Sequence, residues 1–217
     1  MNDTLVIIPA FTQDTPPQRD LMRKLGGISL IQRAITKGLN ITEGNGACVF
    51  VLTDSELVAL TSERAGAHTC FFTSTSNDTD VIGHWRSVTC AEQNFPNSDI
   101  VVLSPFAPLI KEATLSLAKR ALHDTEASVI SMKQKHVTTN PPPGRISFSS
   151  TFFRDNHNEA LVGANAFTFF HASCLKSASI GDFSPSHIEG GDDLFEIRSY
   201  QDWWVCEKLL LRRRIIF

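Results

Sequence analysis

Apolar residues follow two different periods along this chain. Short runs rich in β-branched residues predict buried strands, at 4–9, 47–52, 68–72, 99–103, 127–132, 164–171 and 194–198. Between them, apolar residues spaced three or four positions apart predict amphipathic helices, at 28–39, from a cap at Asp54 or Ser55 to about 65, and at 79–93, 111–122 and 200–212. Strands that alternate with helices form a mostly parallel sheet flanked by helices. The predicted fold class is therefore α/β, with 1–217 as a single domain.

The alternation stops at 133–160. This stretch contains Pro141-Pro142-Pro143-Gly144 and many Ser, Thr and Asn residues, and it shows no clear helical pattern. Apolar residues such as Ile146 and Phe152 persist in it, which is untypical of a flexible linker. The stretch is therefore predicted to be an inserted arm.

Composition narrows the class of protein. The formal net charge of -3 gives no electrostatic reason to expect a nucleic-acid partner. The five cysteines form no CxxC pair, which argues against a zinc site and a disulfide framework. No apolar run is long enough for a signal peptide or a membrane span. We therefore expect a cytoplasmic protein with no membrane partner.

The first strand runs into a long loop that ends at Gly26-Gly27, which are expected to open the next helix. In an α/β protein, a loop at the carboxyl end of the first strand usually holds the ligand. Loops that hold phosphates are normally rich in Gly, Ser, Lys and Arg. This loop has no glycine before Gly26 and carries Asp14 and Pro16-Pro17. Its position predicts a nucleotide site, whereas its side chains are unusual for one.

Three separated stretches resemble one family in sequence and order. The first strand with Pro9-Ala10, followed by LGGISLI (Leu25 to Ile31), is similar to the opening IPARGGSKxxPxKNxxxLGGxPLI. VVLSPFAPL (Val101 to Leu109) resembles VLLQPTSPL. FEIRSYQDWWVCEKLL (Phe195 to Leu210) resembles the ending IDIDxxxDWxxAExLL. The family is the cytidylyltransferases that activate sialic acids and related nonulosonic acids as CMP-sugars.

This resemblance implies a Rossmann-like nucleotidyltransferase fold whose arm, at 133–160, forms a homodimer. It also implies an activity: transfer of CMP from CTP to an acidic, sialic-acid-like sugar, with release of pyrophosphate and with Mg²⁺ as cofactor. Replaced motif residues leave two alternatives open. One is a catalytically degenerate nucleotidyltransferase-like protein that binds a nucleotide, sugar or protein partner without turnover. The other is a nucleotidyltransferase that acts on a different acid.

The residues that the resemblance places at the nucleotide are Ala10, Phe11, Arg19, Arg23 and Asp54. Phe11 stands where the family has an Arg, and Asp20 lies near the position of a family Lys. Arg19, Arg23 and Lys24 are candidate phosphate contacts, with solvated loop charges as the alternative. Asp54 lies near the base or, alternatively, caps the following helix.

The resemblance places the family's paired metal-binding Asp residues at Glu196 and Arg198. Glu196 can still ligate Mg²⁺, whereas an Arg cannot. Asp193 is the candidate second ligand, and Asp192 and Asp202 lie nearby as alternatives. The alternative is that Arg198 itself neutralises a phosphate, which makes Arg19 and Arg198 the candidate catalytic residues. Asp202 matches a position that is expected to cap the last helix.

The positions that the resemblance assigns to the sugar are Asp80, Ser104, Arg154 and Asn165, with the dimer partner as the alternative contact of Asp80 and Arg154. Ser104 replaces a family Gln, and Phe106-Ala107 replace a Thr-Ser pair. Apolar side chains therefore stand where the family has polar contacts. Asn165 can still supply an amide after a shift of one residue.

Overall fold

A computed structural model of the chain describes residues 4–12, 20–43, 48–71, 98–125, 129–135, 152–154, 160–172, 186–189 and 191–215. The helix predicted at 79–93 lies outside the described residues, and so does most of the predicted arm.

The described strands are β1 (Thr4–Pro9), β2 (Lys24–Leu25), β3 (Ile28–Ser29), β4 (Val49–Thr53), β5 (His68–Phe71), β6 (Asp99–Leu103), β7 (Val129–Lys135), β8 (Phe152–Arg154), β9 (Ala160–His171) and β10 (Ser186–Glu189). The described α-helices are α1 (Leu30–Ile41), α2 (Glu56–Arg64), α3 (Glu112–Thr125) and α4 (Tyr200–Ile215). None of these helices combines the length and the apolar composition that spanning a bilayer requires.

The central sheet has the strand order β10-β7-β9-β6-β1-β4-β5, and β8 pairs with β9. Parallel pairs join β1 to β4 and β6, β4 to β5, and β10 to β7. Strand β9 runs antiparallel to β6, β7 and β8. From β1, the chain first adds β4 and β5 on one side and then returns to add β6 on the other. The carboxyl ends of β1 and β6 therefore form a topological switch point, where open α/β sheets bind their ligands.

Side chains that alternate along β1 fill two cores, because neighbouring strand residues point to opposite faces of a sheet. One core joins the sheet to α1, α2 and α3, and its members include Val6, Ile8, Ile31, Val58 and Leu115. The core on the opposite face includes Leu5, Ile7, Phe50, Leu52 and Phe170. A third, smaller core connects α4 to the start of α1 through Leu25, Leu30, Ile197, Trp203 and Cys206.

The predicted fold class is confirmed, with a mostly parallel sheet flanked by helices. The first three predicted strands match β1, β4 and β5 to within two residues at each end, and β6 matches its prediction fully. Strands β7 and β9 are longer than predicted. Lys133–Lys135, predicted as the start of the arm, continue β7 and pair with Ala160–Val162.

The prediction that Gly26-Gly27 open a helix is wrong. These two residues have φ angles of 60° and 92° and form the turn of a hairpin between β2 and β3. Glycine adopts positive φ at little cost, and such paired values suit a two-residue hairpin turn. Helix α1 begins at Leu30, with Ser29 and Gln32 forming a capping box. Ile28, predicted on the buried helical face, consequently lies in β3 and is 44% exposed.

The strand predicted at 194–198 is also wrong. Asp192–Leu194 form a 3₁₀ turn, and the segment from 195 to 198 has no regular structure. Its backbone is held by another loop, because the N–H of Ile197 donates to the carbonyl of Phe106 at 2.8 Å. The strand in this part of the chain is β10, which the apolar pattern did not predict because SHIE contains a single apolar residue.

Candidate active site

The start of the long loop is tied to the end of β4. The N–H of Ala10 donates to the carbonyl of Leu52, and the Thr53 hydroxyl donates to the carbonyl of Ala10, both at 2.8 Å. Asp54 Oδ1 accepts from the backbone N–H and the hydroxyl of Thr12, at 2.8 and 2.9 Å. These bonds hold the first loop residues at the carboxyl ends of β1 and β4.

Asp54 is therefore not the cap of α2. The cap is Ser55, whose hydroxyl oxygen accepts from the N–H of Val58. The carboxylate of Asp54 turns toward the loop, where it satisfies two donors of Thr12. Asp54 and Ala10 thus lie together at the predicted nucleotide edge. Phe11, which follows Ala10, is partly buried against the core that contains Leu5 and Phe50.

The far end of the same loop contacts α4. The Tyr200 hydroxyl donates to Asp20 Oδ2 at 3.0 Å. Next to Asp20, the buried Leu21 accepts at its carbonyl from the N–H of Ile31, at 3.2 Å. The loop therefore starts on the sheet and ends between α1 and α4, so that these elements set both of its ends.

Arg23 lies over two aromatic rings of α4. Its guanidinium carbon is 4.6 Å from the centre of the Trp203 ring and 5.3 Å from that of Tyr200. Both distances are typical of cation–π contacts. Arg23 Nη1 is also 3.7 Å from Asp20 Oδ2, and the side chain is 48% exposed. The structure thus places Arg23 at the loop with its guanidinium orientation restrained and much of its side chain open to solvent.

The loop after β6 adjoins the segment before α4. The N–H of Ser104 donates to the carbonyl of Ala166 in β9 at 3.0 Å, and the Ser104 hydroxyl oxygen accepts from the N–H of Phe106 at 3.2 Å. The carbonyl of Phe106 in turn holds Ile197. Because of this bond, Glu196 and Arg198 lie beside the carboxyl end of β6, at the switch point.

Glu196 and Arg198 form an ion pair. Arg198 Nε donates to Glu196 Oε2 at 2.7 Å, and Arg198 Nη2 lies 2.6 Å from the same oxygen in an ionic contact. The side chain of Glu196 is 18% exposed, whereas that of Arg198 is 59% exposed. Burial raises the pKa of Glu196, while the hydrogen bond and the charge of Arg198 act in the opposite direction. A carboxylate that is mostly buried therefore holds a guanidinium that is mostly exposed.

Two further carboxylates of this segment, those of Asp193 and Asp202, have structural partners. Asp202 Oδ2 accepts from the N–H of Arg198 and from the hydroxyl of Ser199, at 3.0 and 2.9 Å. Asp202 lies in the first turn of α4 and bonds back to the residues before it, whereas the cap is Ser199, whose hydroxyl oxygen accepts from the N–H of Asp202 at 3.2 Å. Asp193 Oδ2 accepts from the Thr114 hydroxyl at 2.6 Å. Among the described residues, no three His, Cys, Asp or Glu side chains are grouped so that they could hold a metal ion.

The predicted sugar residues are described only in part. Asp80 lies outside the described residues, as does Arg19 of the nucleotide loop. Asn165 lies in β9 next to Ala166, and therefore beside the loop after β6. Arg154 ends β8 opposite Ala160, which the rise of a strand places about 16 Å along β9 from Asn165. The backbone thus brings Asn165 and Ser104 together and separates Arg154 from them.

Sequence reasoning missed the contact between the loop and α4. Asp20 and Tyr200 are 180 positions apart, and neither belongs to a motif that predicts the other. The aromatic residues at the start of α4 were a weak signal, because exposed aromatic rings next to a buried one suit a cation–π contact.

Comparisons by sequence and by structure differ in outcome. Neither the family sequence profiles nor the curated protein sequences match this chain. Its structure is similar to that of CMP:2-keto-3-deoxy-manno-octonic acid synthetase complexed with CTP, with a TM-score of 0.66, 11% identity and 98% and 100% of the two chains covered.

Two solved structures of 4-diphosphocytidyl-2C-methyl-D-erythritol synthase are similar as well. One has a TM-score of 0.66 and 14% identity, and covers 97% of this chain and 99% of the other. The second, from Anaerococcus prevotii, has a TM-score of 0.62 and 10% identity with the same coverage. At these identities the likeness concerns the fold. The chain therefore has the nucleotidyltransferase fold of these synthetases over nearly its whole described length.

Proposed function

We propose that this protein binds CTP at the carboxyl ends of β1, β4 and β6 and transfers CMP to an acidic, sialic-acid-like sugar, with release of pyrophosphate. The observation that carries the proposal is the loop after β1, anchored at Thr12 by Asp54 and at Asp20 by Tyr200. It lies at the switch point of a fold shared with a CMP-sugar-acid synthetase that was solved with CTP.

In this reaction a hydroxyl oxygen of the sugar attacks the α-phosphorus of CTP. A new oxygen–phosphorus bond forms while the bond to the pyrophosphate oxygen breaks, and the hydroxyl loses its proton. Catalysis requires alignment of the two reactants and positive charge next to the phosphates. The N–H groups of Ala10 and Thr12, at the described start of the loop, are already bonded to Leu52 and Asp54, and the positive charge is proposed to come from side chains.

Arg23 and Arg198 are the described side chains that suit this role, and Arg19 is proposed to join them. Both described guanidinium groups are about half exposed or more and lie close to the start of α4. Phosphate oxygens accept paired hydrogen bonds from a guanidinium, which adds orientation to charge. Ala10, Phe11 and Asp54 complete the proposed nucleotide site.

The acidic sugar is proposed to bind beside the loop after β6. Ser104 and Asn165 lie together there, and Asp80 and Arg154 are proposed to complete the site. The Ser104 hydroxyl oxygen accepts a bond within its own turn, which leaves its O–H to donate to a ligand.

The second candidate function is binding of a nucleotide, sugar or protein partner without turnover. The ion pair of Glu196 with Arg198 favours it, because a carboxylate paired with a guanidinium is a weaker ligand for Mg²⁺. Asp20 adds a second reason, since it places a negative charge in the loop that is proposed to hold phosphates.

One pair of measurements separates these candidates. Calorimetric titration with CTP, with UTP as the control nucleotide, tests binding. An assay of pyrophosphate release with CTP plus sialic acid or 2-keto-3-deoxy-manno-octonic acid tests transfer. Binding together with release supports the proposed enzyme. Binding without release from any acid supports the second candidate, and absence of CTP binding at millimolar concentration rejects the enzyme.

We also propose that the protein forms a homodimer through the arm at 133–160 and that it is located in the cytoplasm. Support for the dimer comes from the resemblance to the sialic-acid-activating family. Light scattering at micromolar concentration measures the mass in solution. A mass near 24.0 kDa, that of one chain, would contradict the dimer.

A further inference from the structure

We propose that Arg198, held in place by Glu196, binds ligand phosphates where related enzymes would use a divalent metal ion, so that polyphosphate binds without Mg²⁺. The inference rests on the proposed nucleotide site. It deepens that site because it gives Arg198 the place of the metal ion and removes Mg²⁺ from phosphate binding.

The first step asks whether the residues just before and at the start of α4 fit a metal ion. Mg²⁺ prefers several oxygen ligands in octahedral geometry, and in proteins these include one or two carboxylates. Glu196 Oε2 already accepts a hydrogen bond from Arg198 Nε and forms an ion pair with Nη2, and one oxygen each of Asp193 and Asp202 accepts bonds from neighbouring groups. A fixed guanidinium beside Glu196 also repels a divalent cation. The described residues therefore do not fit a magnesium site.

The second step is the capacity of Arg198 to bind an anion. A guanidinium has five N–H donors in a fixed fork, and Glu196 accepts the one from Nε while Nη2 makes an ionic contact with the same oxygen. The remaining N–H groups belong to a side chain that is 59% exposed. Arginine recognises phosphate through paired bonds of this kind. Arg198 can thus bind Glu196 and a phosphate at the same time.

The third step is the placement of this guanidinium. The N–H of Arg198 is bonded to Asp202, and the adjoining Ile197 is bonded to Phe106, so the backbone on both sides of the residue is restrained. Arg23 lies over Tyr200, two positions after Arg198. Two guanidinium groups therefore adjoin the start of α4, at the edge where the loop after β1 ends. Glu196 acts as a positioning residue, because its mostly buried carboxylate orients Arg198.

Inorganic triphosphate is the probe that tests this proposal, because it presents phosphates without a base or sugar. Calorimetric titration of the full chain is done with EDTA and again with Mg²⁺. We expect binding in EDTA that Mg²⁺ does not strengthen. Arg198→Gln should weaken it by about tenfold, which corresponds to loss of one strong contact. The matched control is Arg120→Gln, at an exposed position of α3, which should leave binding unchanged.

A second variant tests the exchange of metal for arginine directly. Arg198→Asp places a second carboxylate two positions after Glu196, so triphosphate binding should vanish in EDTA and return with Mg²⁺. Glu196→Gln keeps an oxygen acceptor for Arg198 and should retain binding in EDTA, whereas Glu196→Ala should weaken it. Circular dichroism of each variant verifies that it is folded.

Three results would overturn the inference: native binding that requires Mg²⁺, native binding that Arg198→Gln does not change, and no triphosphate binding in either buffer. The proposed function fails independently. If triphosphate binds through Arg198 but CTP binds no better than UTP and no acid releases pyrophosphate, the phosphate site stands without the transfer reaction. Conversely, if CTP and an acid release pyrophosphate but triphosphate binds only with Mg²⁺, the transfer reaction stands and the inference about Arg198 fails.

Discussion

Three side-chain pairs define the candidate site at the residue scale: Asp54 with Thr12, Asp20 with Tyr200 and Glu196 with Arg198. In the first two pairs the carboxylate accepts from a donor on a different element of the fold, whereas Glu196 and Arg198 belong to the same short segment. Hydrogen bonds to charged groups are stronger than neutral ones. Together these pairs position the loop and the guanidinium groups before a ligand binds.

The pKa of Glu196 provides a prediction at this scale. Burial raises it above its usual value of 4.5, and Arg198 opposes this increase. Because the folded state favours the protonated form, the contribution of Glu196 to stability is complete below pH 4.5 and is lost as the pH rises through the higher folded pKa. Arg198→Gln should raise this pKa further and extend the loss of stability to higher pH.

Carbon-13 NMR titration of the Glu196 carboxyl measures its titration midpoint in the native protein and in Arg198→Gln. Unfolding by urea as a function of pH measures the linked stability. Arg120→Gln is again the control and should leave the Glu196 midpoint in place. A midpoint that falls when Arg198 is replaced would contradict the ion pair as described.

At the element scale, the hairpin of β2 and β3 and the start of α4 determine where the long loop ends. Gly26 and Gly27 reverse the chain immediately before the capping box of α1. Ser199 caps α4 and is bonded to Asp202, and this fixes Tyr200 opposite Asp20. A change in either element should therefore alter the loop that carries Arg23.

Gly27→Ala tests the hairpin. The φ angle of 92° at Gly27 is unfavourable for alanine, although an added Cβ would meet no atom within 4 Å. We expect a loss of about 1–2 kcal/mol in the free energy of unfolding, the cost of left-handed backbone in an L-residue. Urea unfolding measures it. Lys24→Ala, at an exposed position of the same hairpin, should change stability by less than about 0.5 kcal/mol.

At the scale of the whole molecule, a buried carboxylate joins three elements at the end of the sheet opposite the candidate site. Asp99, the first residue of β6, is fully buried. Its Oδ1 is 3.0 Å from His171 Nδ1 of β9, and its Oδ2 is 2.9 Å from His123 Nε2 of α3. The contact with His171 is a hydrogen bond. Asp99 Oδ2 has no hydrogen-bond partner among the described residues, so its contact with His123 is a close polar contact.

Asp99→Ala should therefore destabilise the fold without changing ligand affinity. Removal of the carboxylate leaves His171 without its buried partner, and such losses cost about 1–3 kcal/mol. Urea unfolding together with triphosphate titration measures both quantities. Asp124→Ala, at an exposed position next to His123, is the control and should be close to neutral. A reduced affinity in Asp99→Ala would show coupling between the two ends of the sheet.

The amino-acid sequence alone determined the main sheet strands and the described helices, and it predicted where the site lies. Strands buried on both faces have to be apolar throughout, so β1, β4 and β6 are visible as runs of apolar residues. The order of strands and helices then predicted that a ligand binds at the carboxyl end of β1. The ordered motif resemblances indicated the nucleotidyltransferase fold, which the comparison of structures confirmed.

Tertiary structure decided the pairings. Sequence patterns report which face of an element is apolar, but they do not report which residue from a distant element lies opposite. The contact of Asp20 with Tyr200 and the stacking of Arg23 on Trp203 therefore required the packed fold. Glu196 and Arg198 are two positions apart in sequence, yet their difference in exposure depends on the packing of Ile197 against the loop after β6. That packing turned a replaced motif residue into a candidate phosphate ligand.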